Sequence, residues 1–174
     1  MKRTIALTGT PGTGKTAVAE VLKRGGYRVA SVVELARMHD CILDENDEVV
    51  VDVEKLSKFK FDGIVEGHLS HLLSPNLSIV LRCNPVILKE RLSGRGWSEE
   101  KIMENVEAEL LDVILVEALE KCEEVYEIDT TNLSVEKVAE IVERIMSGEG
   151  ERYKPGKIDW LSELEDRLED VVRF

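Results

Sequence analysis

The chain has 174 residues, 43% of them hydrophobic and 33% charged, with a formal net charge of −12. That length suits one domain whose core needs no staples, and the negative charge works against long-range attraction to nucleic acid, so sequence-specific nucleic-acid binding is not expected and any polyanion must be held locally. The apolar runs fall far below the roughly 18 residues that span a bilayer, the N-terminus does not read as a signal peptide, and Cys41, Cys83 and Cys122 lack framework spacing, so a reducing, cytoplasmic setting without membrane or disulfide is expected.

The first predicted element is a short buried strand, Ile5-Ala6-Leu7. It runs into Gly9-Thr10-Pro11-Gly12-Thr13-Gly14-Lys15-Thr16, the spacing of a phosphate-binding loop, and then into a helix from Ala17. Gly9, Gly12 and Gly14 let the loop wrap tightly enough to aim backbone N–H groups at a polyphosphate. Lys15 supplies a mobile point charge, Thr16 a hydroxyl for Mg²⁺, and the helix its positive end. The phosphates are therefore expected on Gly12, Thr13, Gly14, Lys15, Thr16 and Ala17. Lys15 is read as an exposed loop residue that contributes little to the fold.

Gly25-Gly26 predicts the stop of this helix and Tyr27 to Ala30 a second strand. Ser31 is expected to cap a short helix around Val33 to Arg37. Residues His39 to Asp47 read as loop, and Glu48 to Phe59 as a helix from the spacing of Val49, Val50, Val53 and Leu56. Ile64-Val65-Glu66 and Leu77 to Arg82 predict two more strands, and Pro85 opens a helix through Arg91. From Ser98 the apolar spacing predicts one long helix to about Cys122. Val125 to Ile128 is the fifth strand, Ser134 to Met146 the next helix, and Ser147 to Gly150 resembles a linker. The stripe Trp160, Leu161, Leu164, Leu168 and Val171 predicts one more amphipathic helix over Ile158 to Val172. Five strands interleaved with helices imply an α/β fold, three layers around a five-stranded parallel sheet. Trp97 and Trp160 are expected to pack, and His39 and His71 to be plain surface or loop residues without metal-ligand spacing.

The phosphate loop together with Glu34-Leu35-Ala36-Arg37, Ile64-Val65-Glu66-Gly67-His68, Glu90-Arg91-Leu92 and Arg95-Gly96-Trp97 resembles the small nucleoside-monophosphate kinases, P-loop NTPases with a lid. Within them, over roughly residues 3 to 145, the chain is most similar to an archaeal-like member of the ribosome-assembly adenylate kinases, the isoenzyme-six family also called the coilin-interacting nuclear ATPase. The resemblance implies a kinase domain over residues 1–147, with a monophosphate-binding segment at 30–53 and a short lid at 95–105. It leaves 148–174 as a C-terminal helical extension. It implies ATP and Mg²⁺, with AMP or another nucleoside monophosphate as acceptor.

By that resemblance Arg95 reaches the ATP phosphates on lid closure and Arg91 lies nearer the adenine. Their four-residue spacing also suits two solvated arginines on a helix surface. Arg37, the one basic residue between Ala30 and Val53, either clamps the acceptor phosphate bidentately or is an ordinary surface arginine. Glu66 and His68 end a strand beside the phosphates, where a carboxylate can hold a water of the Mg²⁺ shell and an imidazole can order the attacking group; the alternative is a histidine merely bonded at a strand end. The subfamily usually has Asp-x-His here, so Glu66 adds a methylene on the metal side. Lys15, Glu66, His68 and Arg95 are the expected catalytic residues, and Thr16 and Glu66 the expected metal side. Asp129 to Asn132 either packs on the adenine, caps the following helix, or does both.

Larger adenylate kinases carry further arginines after the lid. Here residues 98–127 hold eleven acids against Lys101 and Lys121, a local charge of −9. The expected activity is thus an adenylate kinase with ATPase activity, the alternative an ATP-switched assembly factor whose kinase activity is incidental. The acidic stretch reads either as a solvated helix face or, from the ribosome-assembly resemblance, as the surface that holds the basic small-subunit ribosomal protein uS11.

Overall fold

The computed structural model describes residues 3–173; Met1, Lys2 and Phe174, which the expected domain limits include, lie outside the described residues. Strand β1 (Thr4–Gly9) is buried along its whole length and pairs in parallel with both β5 (Gly63–Glu66) and β6 (Leu77–Arg82). With β2 (Val29–Ser31) outside β5 and β7 (Val125–Asp129) outside β6, the sheet runs β2-β5-β1-β6-β7, parallel throughout. Side chains that alternate along these strands divide between two faces. Ile5, Leu7, Ile79, Leu81 and Ile128 pack under helices α1 (Lys15–Arg24) and α7 (Val135–Met146). Val65 packs against α2 (Val32–Met38), and Val80 against α6 (Val113–Lys121). The result is the expected three-layer α/β fold.

Local chemistry fixes most helix starts. Ser31 and Glu34 form a reciprocal capping box at α2, with Glu34 N–H to Ser31 Oγ at 3.0 Å and Ser31 N–H to Glu34 Oε2 at 2.7 Å. Asn84 accepts from Val86 N–H ahead of α4 (Pro85–Ser93), Ser98 caps α5 (Glu99–Leu110), and Ser134 caps α7. Gly26, at φ 97°, ends the turn after α1.

Several expectations are corrected. The predicted helix over Glu48 to Phe59 and the loop before it are instead an antiparallel hairpin, β3 (Ile42–Asp44) with β4 (Val50–Val51), followed by the four-residue α3 (Val53–Leu56). Val49, Val50 and Val51 are β-branched and favour extended backbone, and the helix begins only where Asp52 caps it through Lys55 N–H at 2.9 Å. The long acidic helix is two helices, α5 and α6. The break falls at Asp112, left-handed at φ 57°, which aspartate tolerates better than most residues and whose carboxylate accepts from buried Arg82.

Of the C-terminal stripe, Trp160, Leu164, Leu168 and Val171 face inward as the spacing predicts, but Leu161 is exposed and the segment is not one helix. α8 (Trp160–Glu163) gives way at Leu164 to a 3₁₀ stretch over Glu165–Asp170 that is non-helical at Arg167. Trp160, Leu164 and Val171 join Leu88 and Leu92 of α4 and Ile102 and Val106 of α5 in one buried cluster. Ser147 to Gly150 does not span a gap. A Cβ on Gly150 would stand 2.5 Å from the Tyr126 ring, so the chain lies in contact with β7 as it leaves α7.

Candidate active site

The loop between β1 and α1 curls at the C-terminal end of the central strand, where an open α/β sheet presents its ligand crevice. Gly9, Gly12 and Gly14 have φ of 143°, 93° and 96°. At Gly9 the constraint is also steric, since a Cβ would meet the Leu81 carbonyl oxygen at 2.5 Å. Thr13 Oγ1 donates to the Thr10 carbonyl at 2.8 Å and closes the loop on itself.

Lys15 is buried, 8% exposed, which corrects its reading as an exposed loop residue. Its Nζ donates to the carbonyl oxygens of Gly9 at 2.7 Å and Thr10 at 3.0 Å. Burial pushes its pKa down to about 8; Arg95 adds to the lowering, while Glu66 and Glu109 oppose it. No carboxylate lies within ion-pair distance among the described residues. A desolvated ammonium held only by carbonyls, at the mouth of a loop of amides, calls for an anion.

A cleft of about 980 Å³ opens over this loop. It brings together Gly12, Gly14, Lys15, Thr16, Ala17, Glu66, His68 and Arg95 of the expected site, along with Glu48 and Val49 before β4, Trp97 before α5, and Lys101 and Asn105 on α5. Burial pushes Glu66 above the usual carboxylate range against the pull of Lys15, and Glu34 and Glu20 add to the rise. His68 stands open on the cleft side, but the surrounding walls disfavour its charged form and Lys15 repels it, so its pKa falls below the ordinary 6.5. Near pH 7 it is the neutral imidazole, able to accept a proton or orient a donor.

The other expected residues lie at the margins. Thr13 is buried beneath the loop. Arg91 donates to the carbonyls of Gly12 at 3.3 Å and Thr131 at 3.4 Å, tying α4 to the loop and to the Asp129–Asn132 turn. Arg37 is not part of the cleft lining and pairs with Glu45 at the surface, 2.5 Å apart. Trp97 packs against the α4–α5 cluster as expected, but it also lines the cleft, with the Arg95 guanidinium 5.3 Å and the Lys101 ammonium 4.1 Å from its ring centroid.

Two buried polar groupings were not foreseen. Glu109 on α5 accepts Thr10 Oγ1–H at 2.7 Å, Arg82 Nε–H at 2.8 Å, Trp160 Nε1–H at 3.1 Å and Cys83 N–H at 3.2 Å. Arg82 also reaches Glu127 at 2.9 Å, whose second oxygen accepts from Gly156 N–H at 3.1 Å. The phosphate loop, β6, β7, α5 and the C-terminal segment thus share one network. Secondly, His71 is fully buried, which corrects its reading as a surface residue. Its Nδ1 shares a hydrogen bond with Thr8 Oγ1 at 2.8 Å, and its Nε2 one with Glu117 at 2.7 Å. The available signals were Glu109 lying seven residues after Ile102 on the apolar stripe and Arg82 closing an apolar strand; nothing in the spacing marked His71.

A family model described as an AAA domain matches residues 5–112. The chain is 67% identical over 174 residues to a protein of Archaeoglobus fulgidus named "Putative adenylate kinase", covering 97% of this chain and 98% of that one. It is 43% identical over 176 residues to a protein of the same name from Methanocaldococcus jannaschii, covering 94% and 96%. Among solved structures, the YorR protein of Bacillus subtilis in complex with phosphorylated GDP aligns with a TM-score of 0.57 at 17% identity, over 84% of this chain and 96% of that one. Thymidylate kinase from Candida albicans aligns with a TM-score of 0.51 at 11% identity, over 84% and 92%. At those identities the likeness is one of fold, the P-loop NTPase type.

Proposed function

Because the chain belongs to the archaeal family whose members carry that adenylate kinase name, we propose that it transfers the γ-phosphoryl group of ATP to AMP with Mg²⁺, and hydrolyses ATP when no acceptor is seated. The observation that carries this reading is Lys15, a buried cation without an acidic partner at the head of a loop whose glycines face an open cleft. A Cβ on Gly14 would meet nothing within 4 Å, so the loop has room for a polyphosphate at its helix end. The donor set fits a hard cation as well: Thr16 and Glu66 both line the cleft and offer oxygen only. When bound, Mg²⁺ neutralises charge on the phosphate oxygens.

In the transfer an oxygen of the AMP phosphate bonds to the γ-phosphorus as the bond from the γ-phosphorus to the β-bridging oxygen breaks, so ATP and AMP give two ADP. The protein's work is positioning and charge. Lys15 leaves its two carbonyls for the phosphates, and the loop amides hold them in line. Arg95, exposed between Gly94 and Gly96, swings onto them as the short lid over 95–105 closes. Neutral His68 orients the acceptor oxygen or, in hydrolysis, a water. Arg37 leaves Glu45 to clamp AMP, an exchange that is cheap because exposed ion pairs contribute only about 0–1 kcal/mol.

From the ribosome-assembly resemblance we further propose a role in small-subunit maturation with the basic protein uS11 as partner. The alternative, an ATP-switched factor with incidental kinase activity, is favoured by one feature: apolar side chains of α6 stand exposed beside acids, a surface suited to a protein. The deciding experiment compares ADP formed from ATP alone with ADP formed from ATP plus AMP, both with Mg²⁺. The kinase reading requires AMP to raise ADP formation with two ADP per ATP consumed; a rate indifferent to AMP refutes it.

A further inference from the structure

Lys101 sits in the first turn of α5, and its ammonium reaches across the mouth of the cleft to the carboxylate of Glu48, just before β4. Both side chains line the same cleft as Lys15 and Arg95. The Trp97 ring centroid lies 4.1 Å from the ammonium, so a cation–π contact holds the charge beside the ring at the cleft lining. The pair is open, with 35% of the Lys101 and 64% of the Glu48 side chain exposed. Such a pair shifts an equilibrium by at most a few fold, so an incoming anion displaces it readily.

The charge balance of the cleft says what that anion is. Its lining holds Lys15, Arg95 and Lys101 against Glu20, Glu48, Glu66 and Glu104. Lys15 and Arg95 stand at the phosphate loop and the adjoining turn, whereas Lys101 faces the hairpin side. Of the two lysines between residues 98 and 127, Lys121 does not reach the cleft. A mononucleotide dianion entering between the β3–β4 hairpin and α5 would meet Glu48 first, a repulsion that Lys101 is placed to reverse.

Resting on the kinase reading, we propose that Lys101 binds the phosphate of the acceptor nucleoside monophosphate, in addition to Arg37, and that Glu48 holds its place in the free protein. The Glu48 carboxylate oxygen stands where a phosphate oxygen will bind. When the acceptor enters, Lys101 passes from carboxylate to phosphate while staying on the Trp97 ring, and the freed Glu48 turns to solvent. Lys101 thereby supplies a cation on the lid side, where this chain lacks further arginines.

The test is steady-state kinetics with ATP and AMP, plus calorimetric titration of AMP, on the wild type and on Lys101→Gln, Lys101→Arg and Glu48→Gln. Lys101→Gln should raise the AMP KM and Kd about tenfold, the loss expected of a charge-assisted contact, and more than it moves the ATP KM. Lys101→Arg should recover most of that loss. Glu48→Gln should act in the opposite direction and lower the AMP KM by about twofold to fivefold. An AMP KM and Kd within about twofold of wild type in Lys101→Gln, or a rise in Glu48→Gln equal to that in Lys101→Gln, overturns the proposal while leaving the kinase reading intact. A wild type that neither binds AMP nor forms more ADP with it overturns both.

Discussion

Lys15 carries its charge into a buried position where two backbone carbonyls are its whole hydrogen-bond shell, and two predictions rest on that. A lysine whose pKa falls from 10.5 unfolded to about 8 folded is charged in both states at pH 7, so the fold bears the desolvation there, about 3 kcal/mol. Between pH 8 and 10.5 the unfolded chain binds more protons, so stability of the free protein rises with pH across that window. Lys15→Met, which relieves the burial while forfeiting two hydrogen bonds, should hold the melting temperature within a few degrees or raise it. It should nonetheless slow phosphoryl transfer by about 10²–10³. A large drop in Tm would show that the lysine is structural. A bound polyphosphate favours the charged ammonium and returns its pKa upward. Nucleotide binding above pH 8 should therefore take up a proton, and affinity should weaken as pH rises through that value. Calorimetry in buffers of different ionisation enthalpy measures the uptake directly; none at pH 8.5 in wild type, or equal uptake in Lys15→Met, would move the titration to another group.

Between elements, the Glu109 carboxylate has a wide reach, because four donors from three parts of the chain, the phosphate loop, the end of β6 and the C-terminal segment, meet on it. Removing its charge leaves Arg82, 1% exposed, still facing Glu127 and Asp112 but with its Nε–H bond weakened, so Glu109→Gln should cost about 1–3 kcal/mol and lower Tm by about 5 °C. Trp160→Phe keeps the ring in the core and deletes one N–H, at about 1 kcal/mol. Thr10→Val deletes the donor from the phosphate loop. Since both donate to one carboxylate, a double-mutant cycle should show at least about 0.5 kcal/mol of coupling between the phosphate loop and the C-terminal segment, and strict additivity would mean that the network is not cooperative. This network also marks where sequence reading runs out. The sheet was legible because each core strand is a short apolar run ended by a turn residue, and the phosphate loop because its chemistry is local and its glycines irreplaceable. Glu109 lies on an apolar stripe but reads as solvent-facing until Arg82, 27 residues away in sequence, is seen to meet it. The hairpin was misread because Val49 to Val53 satisfies helical spacing and β propensity at once, and the pairing of β3 with β4 decided between them. Arg91, Arg95 and Arg37 could be named from their spacing and the family resemblance. Where each rests, on backbone carbonyls, beside Trp97 and on Glu45, depends on tertiary neighbours.

At the scale of the whole molecule, the charge of −9 over residues 98–127 is much less available than its sum suggests. Glu109, Asp112 and Glu127 are bound to Arg82, Glu107 to Arg173, Glu117 to His71 and Glu124 to Arg3. Among the described residues this leaves Glu99, Glu100, Glu104, Glu120 and Glu123 exposed and outside any salt bridge. Glu120 and Glu123 stand at the C-terminal end of α6, which with the residue before its cap exposes Leu111, Val113, Val116 and Leu119 by 58%, 39%, 48% and 51%. Acids at one end of an apolar stripe suit a basic partner with an apolar anchor better than they suit bare RNA, whose phosphates they would repel. If uS11 is that partner, association should be fast at low salt and slow as ionic strength shortens the screening length to about 10 Å at 0.1 M. Glu120→Gln with Glu123→Gln should weaken binding a few fold, mostly through the on-rate. Val116→Asp should weaken it further and with less dependence on salt, since it desolvates a charge in the stripe. The measurement is binding of purified uS11 at two ionic strengths, with and without ATP, to wild type and both variants. Failure of the wild type to bind at low salt removes the partner, whereas binding that ignores all three substitutions keeps the partner and places it on another face.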